Sequence, residues 1–336
     1  MATEETIQTR PVAVSVVVPV RNEESSVRAL LEGLLNQTLP PDEIVITDGG
    51  STDATCDVIE DFIRKGAQIK LIREQFSLPG RARNIGVSKA RNEWIAFTDA
   101  GNRAEPDWLA TLTRQVTNDQ TIDIIYGSYE PVIENFFQEC AAIAYVPPRF
   151  QADGKFIQPR SIVSALMRRT VWEAVGGFPE TLRSAEDLLF MRKVEQAGFR
   201  IKREPAAVVH WNIQRTLWGT FTRFVVYGRN NIRAGLWRNW QASIFVWYAT
   251  MLGLLATTIF FGWWGVLVAA LFWVCLMIAR AVKSIDRNRR DRPANLIRNC
   301  ARLFLIIPVL TAIDIAAIVG SIAWLFGDKL RATGKS

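Results

Sequence analysis

Three polar clusters in the first third of the chain carry side chains that could bind a ligand. A carboxylate such as that of Asp48 can accept hydrogen bonds from a bound molecule. Each cluster alone is equally typical of a turn or a helix cap, but three in succession are better explained by one shared cleft. The clusters are Pro19-Val20-Arg21-Asn22-Glu23, the run from Asp48 through Ser51 to Asp53, and Asp99-Ala100-Gly101-Asn102.

The predicted elements bring these clusters to one edge of a sheet. Buried apolar runs alternate with amphipathic helical patterns, which predicts parallel strands joined by right-handed crossovers. Ligands bind beyond the carboxyl ends of such strands, and each cluster follows a strand directly. The predicted fold class is α/β, a mostly parallel sheet with flanking helices. Strands are predicted at 13–18, 43–47, 69–72, 94–98 and 206–209, helices after Ser25 or Ser26, at 54–64, around Ile85 and at 186–197, and a loop at 147–159.

The net charge of +7 is distributed unevenly along the chain. Residues 1–199 sum to −7, whereas residues 200–238 sum to +7 and residues 280–302 to +6. The two basic segments flank a stretch from Ala242 to Ala279 that contains no charged residue. Basic flanks of this kind are typical of cytoplasmic loops beside anionic lipid head groups, so membrane lipids are expected partners and nucleic acid is not.

The uncharged stretch is too long for one membrane-spanning helix of about 20 residues, so it predicts two. A third apolar segment contains Pro308 and Asp314, and it could cross the membrane, re-enter it or lie at its surface. Crossing is the favoured interpretation, in which Asp314 faces a partner helix or lies at shallow depth. The three helices are predicted at about 243–261, 264–281 and 303–326.

The same features predict the domains and the compartment. We expect a cytoplasmic domain over residues 1–240 and a membrane domain over residues 241–336, in a multi-pass protein of the cell (inner) membrane without a signal peptide. The cysteines form no CxxC pair, which argues against a zinc site or a disulfide framework and fits a reducing cytosol. They are Cys56, Cys140, Cys275 and Cys300.

The motifs, in their order and spacing, resemble those of glycosyltransferase family 2, a family of inverting enzymes with the GT-A fold. No single motif is specific, but the ordered set is, and it extends from about Val14 to His210. The resemblance implies a UDP- or GDP-sugar as donor, and a membrane hairpin after the catalytic domain also occurs in this family. The motifs are VSVVVPVRNEE, ITDGGSTD, GRARNIG, WIAFTDAG, EPDWL, GGFPE and SAEDLLF.

The resemblance assigns the donor site to the loops that follow the first two strands. Pro19 to Glu23 would hold the base and ribose, and Asp48, in the same cluster as Ser51, would contact the base. Arg83 could pair with a phosphate or brace the base loop. The alternative for Arg83 is an exposed arginine on a helix surface.

The metal motif of the family, Asp-x-Asp, is incomplete in this chain, because Gly101 replaces the second aspartate. Asp99 would therefore act alone or with Asn102, which suffices for Mn²⁺ or Mg²⁺ when phosphates and waters supply the other ligands. His210, the only histidine, stands where some GT-A enzymes place a metal ligand, and an imidazole would favour Mn²⁺. An ordinary strand-end histidine is the alternative.

The resemblance places the catalytic base in the pair Glu186-Asp187. An inverting transfer is a single displacement, so one carboxylate must take the proton of the attacking acceptor hydroxyl. Asp187 matches that role, and Glu186 would orient the base or cap the helix. Both could also be ordinary acids of a first helical turn.

Arg215 and Trp218 lie in a segment, QRTLW, that partly resembles the QxxRW motif of processive members. Arg215 could reach the diphosphate, and Trp218 could stack on a sugar or lie at the membrane. The incomplete motif argues against synthesis of a long polymer.

These features predict transfer of a sugar, with inversion, from a nucleotide-diphosphate sugar to a hydroxyl of a lipid-linked or glycan acceptor at the cytoplasmic membrane face, as in polysaccharide biosynthesis. Two alternatives stay open. One is a polyprenyl-phosphate monosaccharide synthase, whose phosphate nucleophile needs no strong base. The other is a catalytically silent membrane adaptor that binds a nucleotide sugar.

Overall fold

The apolar runs near the N-terminus form the middle of a sheet in a computed structural model that describes residues 12–152 and 155–329. Strands buried on both faces favour such β-branched runs. The strands are β1 (Val14–Val20), β2 (Glu43–Asp48), β3 (Ile69–Arg73), β4 (Trp94–Phe97), β5 (Asn102–Ala104), β6 (Ile124–Val132), β7 (Phe150–Ala152), β8 (Lys155–Ile157), β9 (Ala165–Arg168) and β10 (Ile201–Asn212).

The sheet of the described residues has the order β3-β2-β1-β4-β9-β6-β10-β5, and β7 pairs separately with β8. β1 is parallel to β2 and β4, and β2 is parallel to β3. These pairs confirm the predicted parallel core. β9 is antiparallel to β4 and β6, and β5 is antiparallel to β10, so the rest of the sheet is mixed.

The sequence patterns did not predict β5, β6 and β9, and the predicted loop over 147–159 contains β7 and β8. β6 includes Gly127 and Pro131, residue types that usually weaken a strand. Gly127 is needed because a Cβ atom there would lie 2.1 Å from the Ser164 hydroxyl oxygen. The predicted strand at 206–209 is the end of β10.

The predicted helices of the first two hundred residues are confirmed to within two residues. Ser26 occupies the N-cap of α1 as expected, but its hydroxyl donates to the Glu23 carboxylate instead of capping. The helices are α1 (Val27–Leu35), α2 (Thr55–Arg64), α3 (Pro79–Lys89), α4 (Trp108–Asn118), α5 (Phe136–Tyr145), α6 (Arg169–Val175), α7 (Glu186–Gln196), α8 (Leu217–Arg233), α9 (Trp237–Trp240), α10 (Ala242–Ala256), α11 (Thr258–Phe261), α12 (Trp263–Arg287) and α13 (Leu296–Trp324).

The chain divides into two compact units. The first unit contains most of the sheet and comprises Met1–Glu130, Ile157–Thr181 and Glu186–Trp211, as far as these residues are described. The second unit comprises Pro131–Phe156, Leu182–Ala185 and Asn212–Ser336, within the same limits, and contains the long apolar helices. The predicted domain boundary at residue 240 stays a prediction.

The described part of the second unit has three helical segments long and apolar enough to cross a membrane, Ala242–Phe261, Trp263–Arg287 and Leu296–Gly327. The third begins seven residues before its predicted start and includes Arg298 and Arg302. Both arginines donate to the Glu139 carboxylate on α5, which is why charged residues are accommodated at this end of the helix.

Asp314 on α13 faces a partner helix, one of the two possibilities that the sequence left open. The guanidinium of Arg280 on α12 donates to both of its carboxylate oxygens, one of them at 2.9 Å. The ring of Trp247 on α10 covers the guanidinium, with 4.4 Å from the Arg280 Cζ atom to the ring centroid. One cation and one anion are therefore paired inside an apolar bundle.

Helices α8 and α13 pack through glycines. A Cβ atom on Gly228 would lie 2.9 Å from the Ala317 Cα atom, and one on Gly320 would lie 2.3 Å from the Val225 carbonyl oxygen. Small residues allow such close backbone approach between helices in membranes. The two helices meet along this seam.

Candidate active site

The loops that follow β1 and β2 are joined by hydrogen bonds. The Asn22 amide N–H donates to the Ser51 hydroxyl at 2.8 Å, and the Thr52 N–H donates to the Asn22 side-chain oxygen at 2.9 Å. Asn22 has a φ of 55°, a conformation that asparagine tolerates better than most residues. The cluster predicted at Pro19 to Glu23 therefore lies beside the cluster of Asp48 and Ser51.

Asp48 is buried at the end of β2, and its carboxylate accepts from its own turn. The backbone N–H groups of Gly50 and Ser51 donate to it at 3.2 and 3.1 Å, and the Ser51 hydroxyl donates as well. The carboxylate thus fixes the loop conformation. Its predicted contact with a base stays a prediction.

Phe76 is a candidate site residue that the sequence patterns did not indicate. Its ring is 56% exposed, and the Arg21 guanidinium lies 4.7 Å from the ring centroid. A cation above an aromatic face is a favourable arrangement, and an exposed ring beside the loop that follows β1 offers a stacking surface. A lone phenylalanine in a loop gives no signal in a single sequence.

Arg83 is the centre of a second group of predicted site residues. It projects from α3 and is buried, so the alternative of an exposed helix arginine is wrong. Its two terminal nitrogens donate to Asp99 and to Glu186, both at 2.7 Å. One guanidinium therefore joins Asp99, in the turn beyond β4, to the first residue of α7.

The acids around Arg83 outnumber it. Burial is the largest effect on Glu186 and raises its pKa to about 7, even though Arg83 opposes the shift. Burial also raises the pKa of the half-buried Asp187, Arg83 lowers it, and the charge of Asp99 raises it further. Three carboxylates beside one guanidinium leave an excess of negative charge that a proton or a metal cation would neutralise.

The two acids at the start of α7 have different surroundings. Glu186 is held by Arg83, whereas Asp187 accepts the N–H of Leu188 at 2.8 Å and has no ion-pair partner among the described residues. Ala185, the residue before the pair, has a φ of 70°, which a non-glycine residue seldom adopts. The chain turns sharply where the acids enter the site.

Asn84 holds the loop that precedes α7, a role that the sequence did not indicate although Asn84 lies in the GRARNIG motif. Its side-chain oxygen accepts from the Phe178 N–H and from the indole N–H of Trp172, both at 2.8 Å. Its amide nitrogen donates to the Phe178 carbonyl at 2.9 Å. Adjacent residues of α3 thus position both the acids and the loop before them.

The residues present fit a divalent metal at Asp99, whereas a metal at His210 stays a prediction. Asp99 keeps a partly exposed side chain within the acid excess. His210 instead contacts the carboxylate of Glu105 through Nε2. No group of three His, Cys, Asp or Glu side chains suited to a metal occurs in residues 12–152 and 155–329. A metal would therefore be held by Asp99 and the phosphates of a donor.

Arg215 and Trp218 belong to the second unit. Arg215 forms an exposed ion pair with Glu134 at 2.6 Å. Trp218 is 71% exposed, stacks on Phe221 and lines an apolar groove of about 690 Å³. The other walls are Leu217, Trp273, Ile307, Pro308, Thr311, Ala312 and Ile315.

Residues 15–176 match the family model described as Glycosyl transferase family 2. This range contains the donor loops, Arg83 and Asp99, and it ends before Glu186. The match is thus to the part of the chain in which the parallel strands and their polar ends lie.

Two relatives of Bacillus subtilis (strain 168) align with parts of the chain. EpsH, provisionally named a glycosyltransferase, is 37% identical over 123 residues, which cover 37% of this chain and 35% of EpsH. EpsJ, an uncharacterized glycosyltransferase, is 26% identical over 205 residues, which cover 56% of this chain and 58% of EpsJ. Both alignments span less than two thirds of the relative.

One solved structure resembles most of the chain. The mannosyltransferase PcManGT from Pyrobaculum calidifontis, in complex with GDP-Man and Mn²⁺, superposes with a TM-score of 0.56 at 20% identity. The superposition covers 96% of this chain and 89% of that one. At this identity the likeness establishes the fold, which is GT-A.

Proposed function

We propose a function from the premise that this chain carries a glycosyltransferase family 2 domain: it transfers a sugar from a nucleotide-diphosphate sugar to an acceptor hydroxyl, with inversion. The arrangement of Arg83, with one nitrogen on Asp99 and another on Glu186, carries this proposal. Through these two ion pairs, Arg83 holds Asp99 and the acid pair of α7 in a fixed arrangement. An in-line displacement needs the donor and the base to be held in such fixed positions.

Asp187 is the proposed base. It lacks an ion-pair partner among the described residues, and burial raises its pKa, so it accepts a proton more readily than an exposed aspartate. Glu186 is the positioning residue, because its carboxylate is held by Arg83. The adjacent acids would thus divide the two roles that the sequence could only assign to them as a pair.

A divalent metal fits beside Asp99, and it would neutralise the charge that develops on the diphosphate leaving group. Asp99 would bind this cation on its exposed side while Arg83 holds the carboxylate in place. The loops of Asn22 and Ser51 would hold the nucleoside. The complex of PcManGT with GDP-Man and Mn²⁺ is consistent with a nucleotide sugar and a metal in this fold.

A lipid-linked acceptor is the proposed substrate class. The groove beside Trp218 is apolar and is formed partly by α12 and α13, which are apolar enough for a membrane. A hydrocarbon chain fits such walls, whereas a free glycan does not. The basic segments on either side of α10 and α12 support a catalytic domain on the cytoplasmic face.

The test is turnover by the purified protein in detergent, screened over UDP- and GDP-sugars with Mn²⁺, Mg²⁺ or EDTA and a polyprenyl-linked acceptor. Metal-dependent transfer from one donor would support the proposal and name the sugar. Transfer to a polyprenyl phosphate itself would favour the synthase alternative. Tight nucleotide binding without any turnover would favour the adaptor.

A further inference from the structure

The third apolar helix, α13, satisfies the length and composition of a membrane span, but its contacts indicate a different position. We propose that α13 lies in the plane of the membrane, within the leaflet next to the basic segments 200–238 and 280–302, and that only α10 with α11 and α12 cross. The partner of its exposed face is the lipid of that leaflet. The proposal does not depend on the enzymatic activity.

The hairpin of α10, α11 and α12 crosses the membrane in this proposal, so position along it serves as a scale of depth in the bilayer. Its turn is at Gly262, which has a φ of 58°, and a Cβ atom on Gly265 would lie 2.6 Å from the Thr258 nitrogen. The turn is therefore tight, and it marks the far end. Gln241, just before α10, and Arg287, at the end of α12, mark the basic end.

The N-terminal part of α13 contacts the basic end of this scale. Arg302 donates from one terminal nitrogen to the backbone carbonyl of Arg292, at 3.0 Å, in the connection that follows α12. The other terminal nitrogen donates to Glu139 on α5, at 2.6 Å. Arg302 is almost completely buried in these contacts. This end of α13 is thus fixed at the basic surface.

The C-terminal part of α13 contacts the same end. The side-chain nitrogen of Gln241 donates to the Ser321 hydroxyl at 2.9 Å and to the Ala317 carbonyl at 3.4 Å. The same nitrogen donates to the Gly228 carbonyl on α8 at 3.0 Å. Since Gln241 directly precedes α10, Ser321 lies at the level where that helix begins.

The length of α13 decides between the two positions. Nineteen residues separate Arg302 from Ser321, which is about 28 Å of helix at 1.5 Å per residue. The hydrocarbon core of a bilayer is about 30 Å thick. A crossing helix with Arg302 at the basic surface would place Ser321 close to the opposite surface. Its contact with Gln241 places it back at the basic surface.

The middle of α13 agrees with this geometry. Asp314 pairs with Arg280, the first charged residue that α12 reaches on its way to the basic side. The Thr311 hydroxyl lies 3.8 Å from the Met277 sulfur, one turn further in. The helix therefore passes over the basic ends of α10 and α12 at a shallow depth.

The exposed side of α13 is an apolar stripe. Phe304 is 79% exposed and Phe326 is 64% exposed, and Ile315, Val319 and Ile322 lie between them at helical spacing. The opposite side carries the buried residues Arg302, Asp314 and Gly320. One apolar face and one protein-packed face are what a helix needs to lie half immersed in a leaflet.

The experiment measures the depth of nitroxide labels in the full chain, reconstituted in phosphatidylcholine vesicles. Labels are attached to single cysteines introduced at Phe304, Ile315 and Ile322, after the four native cysteines have been replaced. Matched labels at Val268, Val274 and Val282 on α12 calibrate the depth of a crossing helix. Accessibility to oxygen and to a nickel chelate gives each depth.

We expect the three labels on α13 to lie at one depth, within about one helical turn, while those on α12 spread over about 20 Å. A graded depth from Phe304 to Ile322 that matches the α12 series would overturn the proposal. A reporter fused after Ser336 gives an independent measurement. It should lie on the same side as one inserted in the loop before Leu296, and a position on the opposite side would also overturn the proposal.

Discussion

Two arginines, one buried and one partly buried, differ in the number of acids that surround them. In the first unit, Arg83 contacts Asp99 and Glu186, with Asp187 beside them. In the second unit, Arg280 is paired with Asp314 alone. The pair in the apolar helices is balanced, as a stable buried pair must be. The acid excess around Arg83 is a state that a ligand cation or a proton can relieve, so the imbalance supports the proposed active site.

The largest expected effect tests the acid excess directly. Asp187→Asn removes the proposed base without changing the shape of the side chain, so kcat/KM should fall by roughly 10² to 10⁴. Steady-state kinetics with the best donor measures the loss, and the Tm should change little because Asp187 has no ion pair among the described residues.

The matched control is Glu180→Gln. Glu180 is an acid that precedes α7 in the chain, and its side chain is 45% exposed. It should retain most of the activity. A loss of less than about tenfold in Asp187→Asn would contradict the assignment of the base, and it would be the expected result for a phosphate nucleophile.

The balanced pair should respond through stability. Arg280→Met leaves Asp314 buried without a cation, which typically costs about 3–5 kcal/mol, whereas removing both charges is often neutral. Thermal unfolding in detergent should show a lower Tm for Arg280→Met and recovery in Arg280→Met with Asp314→Leu.

The same design around Arg83 should give a different result. Arg83→Met with Glu186→Leu can recover the fold, but it cannot recover turnover, because the link to Asp99 is lost. Wild-type activity in the double variant at Arg83 would contradict the difference proposed between the two arginines. A double variant at Arg280 whose Tm is not restored would contradict it as well.

The pH dependence should show the raised pKa values. Asp187 must be ionised to accept a proton, and burial raises its pKa, so kcat/KM should begin to fall at a higher pH than it would with an exposed aspartate as base. Glu186, whose pKa burial raises to about 7, takes up a proton over the same direction of pH change. The expected slope is tenfold per pH unit. A profile that is flat down to a pH of about 5 would mean that neither acid holds a proton near neutrality.

The smallest expected effect concerns Gly101. No atom lies within 4 Å of a Cβ added there, so Gly101→Asp should fold normally and supply the missing second carboxylate. The Mn²⁺ concentration for half-maximal activity should decrease by about tenfold, since charge count raises affinity for divalent cations. Gly33→Asp, at a similarly open position on α1, is the control and should leave the metal dependence unchanged. An unchanged metal requirement in Gly101→Asp would argue against a metal beside Asp99.

Sequence patterns predicted those parts of the fold that depend on local composition. β1, β2 and β4 are apolar and largely buried, so both the strands and the acids at the ends of β2 and β4 could be located. β6 could not, because Gly127 is explained only by the approach of Ser164, which is distant in the chain. The patterns also failed to indicate that Arg83 is buried, since the acids that hold it are distant in the chain.

The site was predicted as a set of residue types and not as a set of contacts. Asp99, Glu186 and Asp187 were named, but the guanidinium that joins Asp99 to Glu186 depends on how α3 faces α7. His210 was expected to bind a metal because it follows the predicted last strand. It lies within β10 and contacts Glu105, a residue distant in the chain, and its role as a metal ligand stays a prediction. The hydropathy of α13 is the same whether the helix crosses the membrane or lies in its plane. Only its contacts with other helices distinguish these two positions.

The glycine seam between α8 and α13 has a consequence for how freely the sequence can vary. At Gly228 and Gly320 the neighbouring backbone occupies the space of any side chain, so even alanine is excluded unless the helices move apart. On the lipid-facing stripe, a residue such as Ile322 can be exchanged for any apolar residue of similar size. The large apolar residues of the exposed stripe should therefore tolerate substitution best, and Gly228 and Gly320 should tolerate it least.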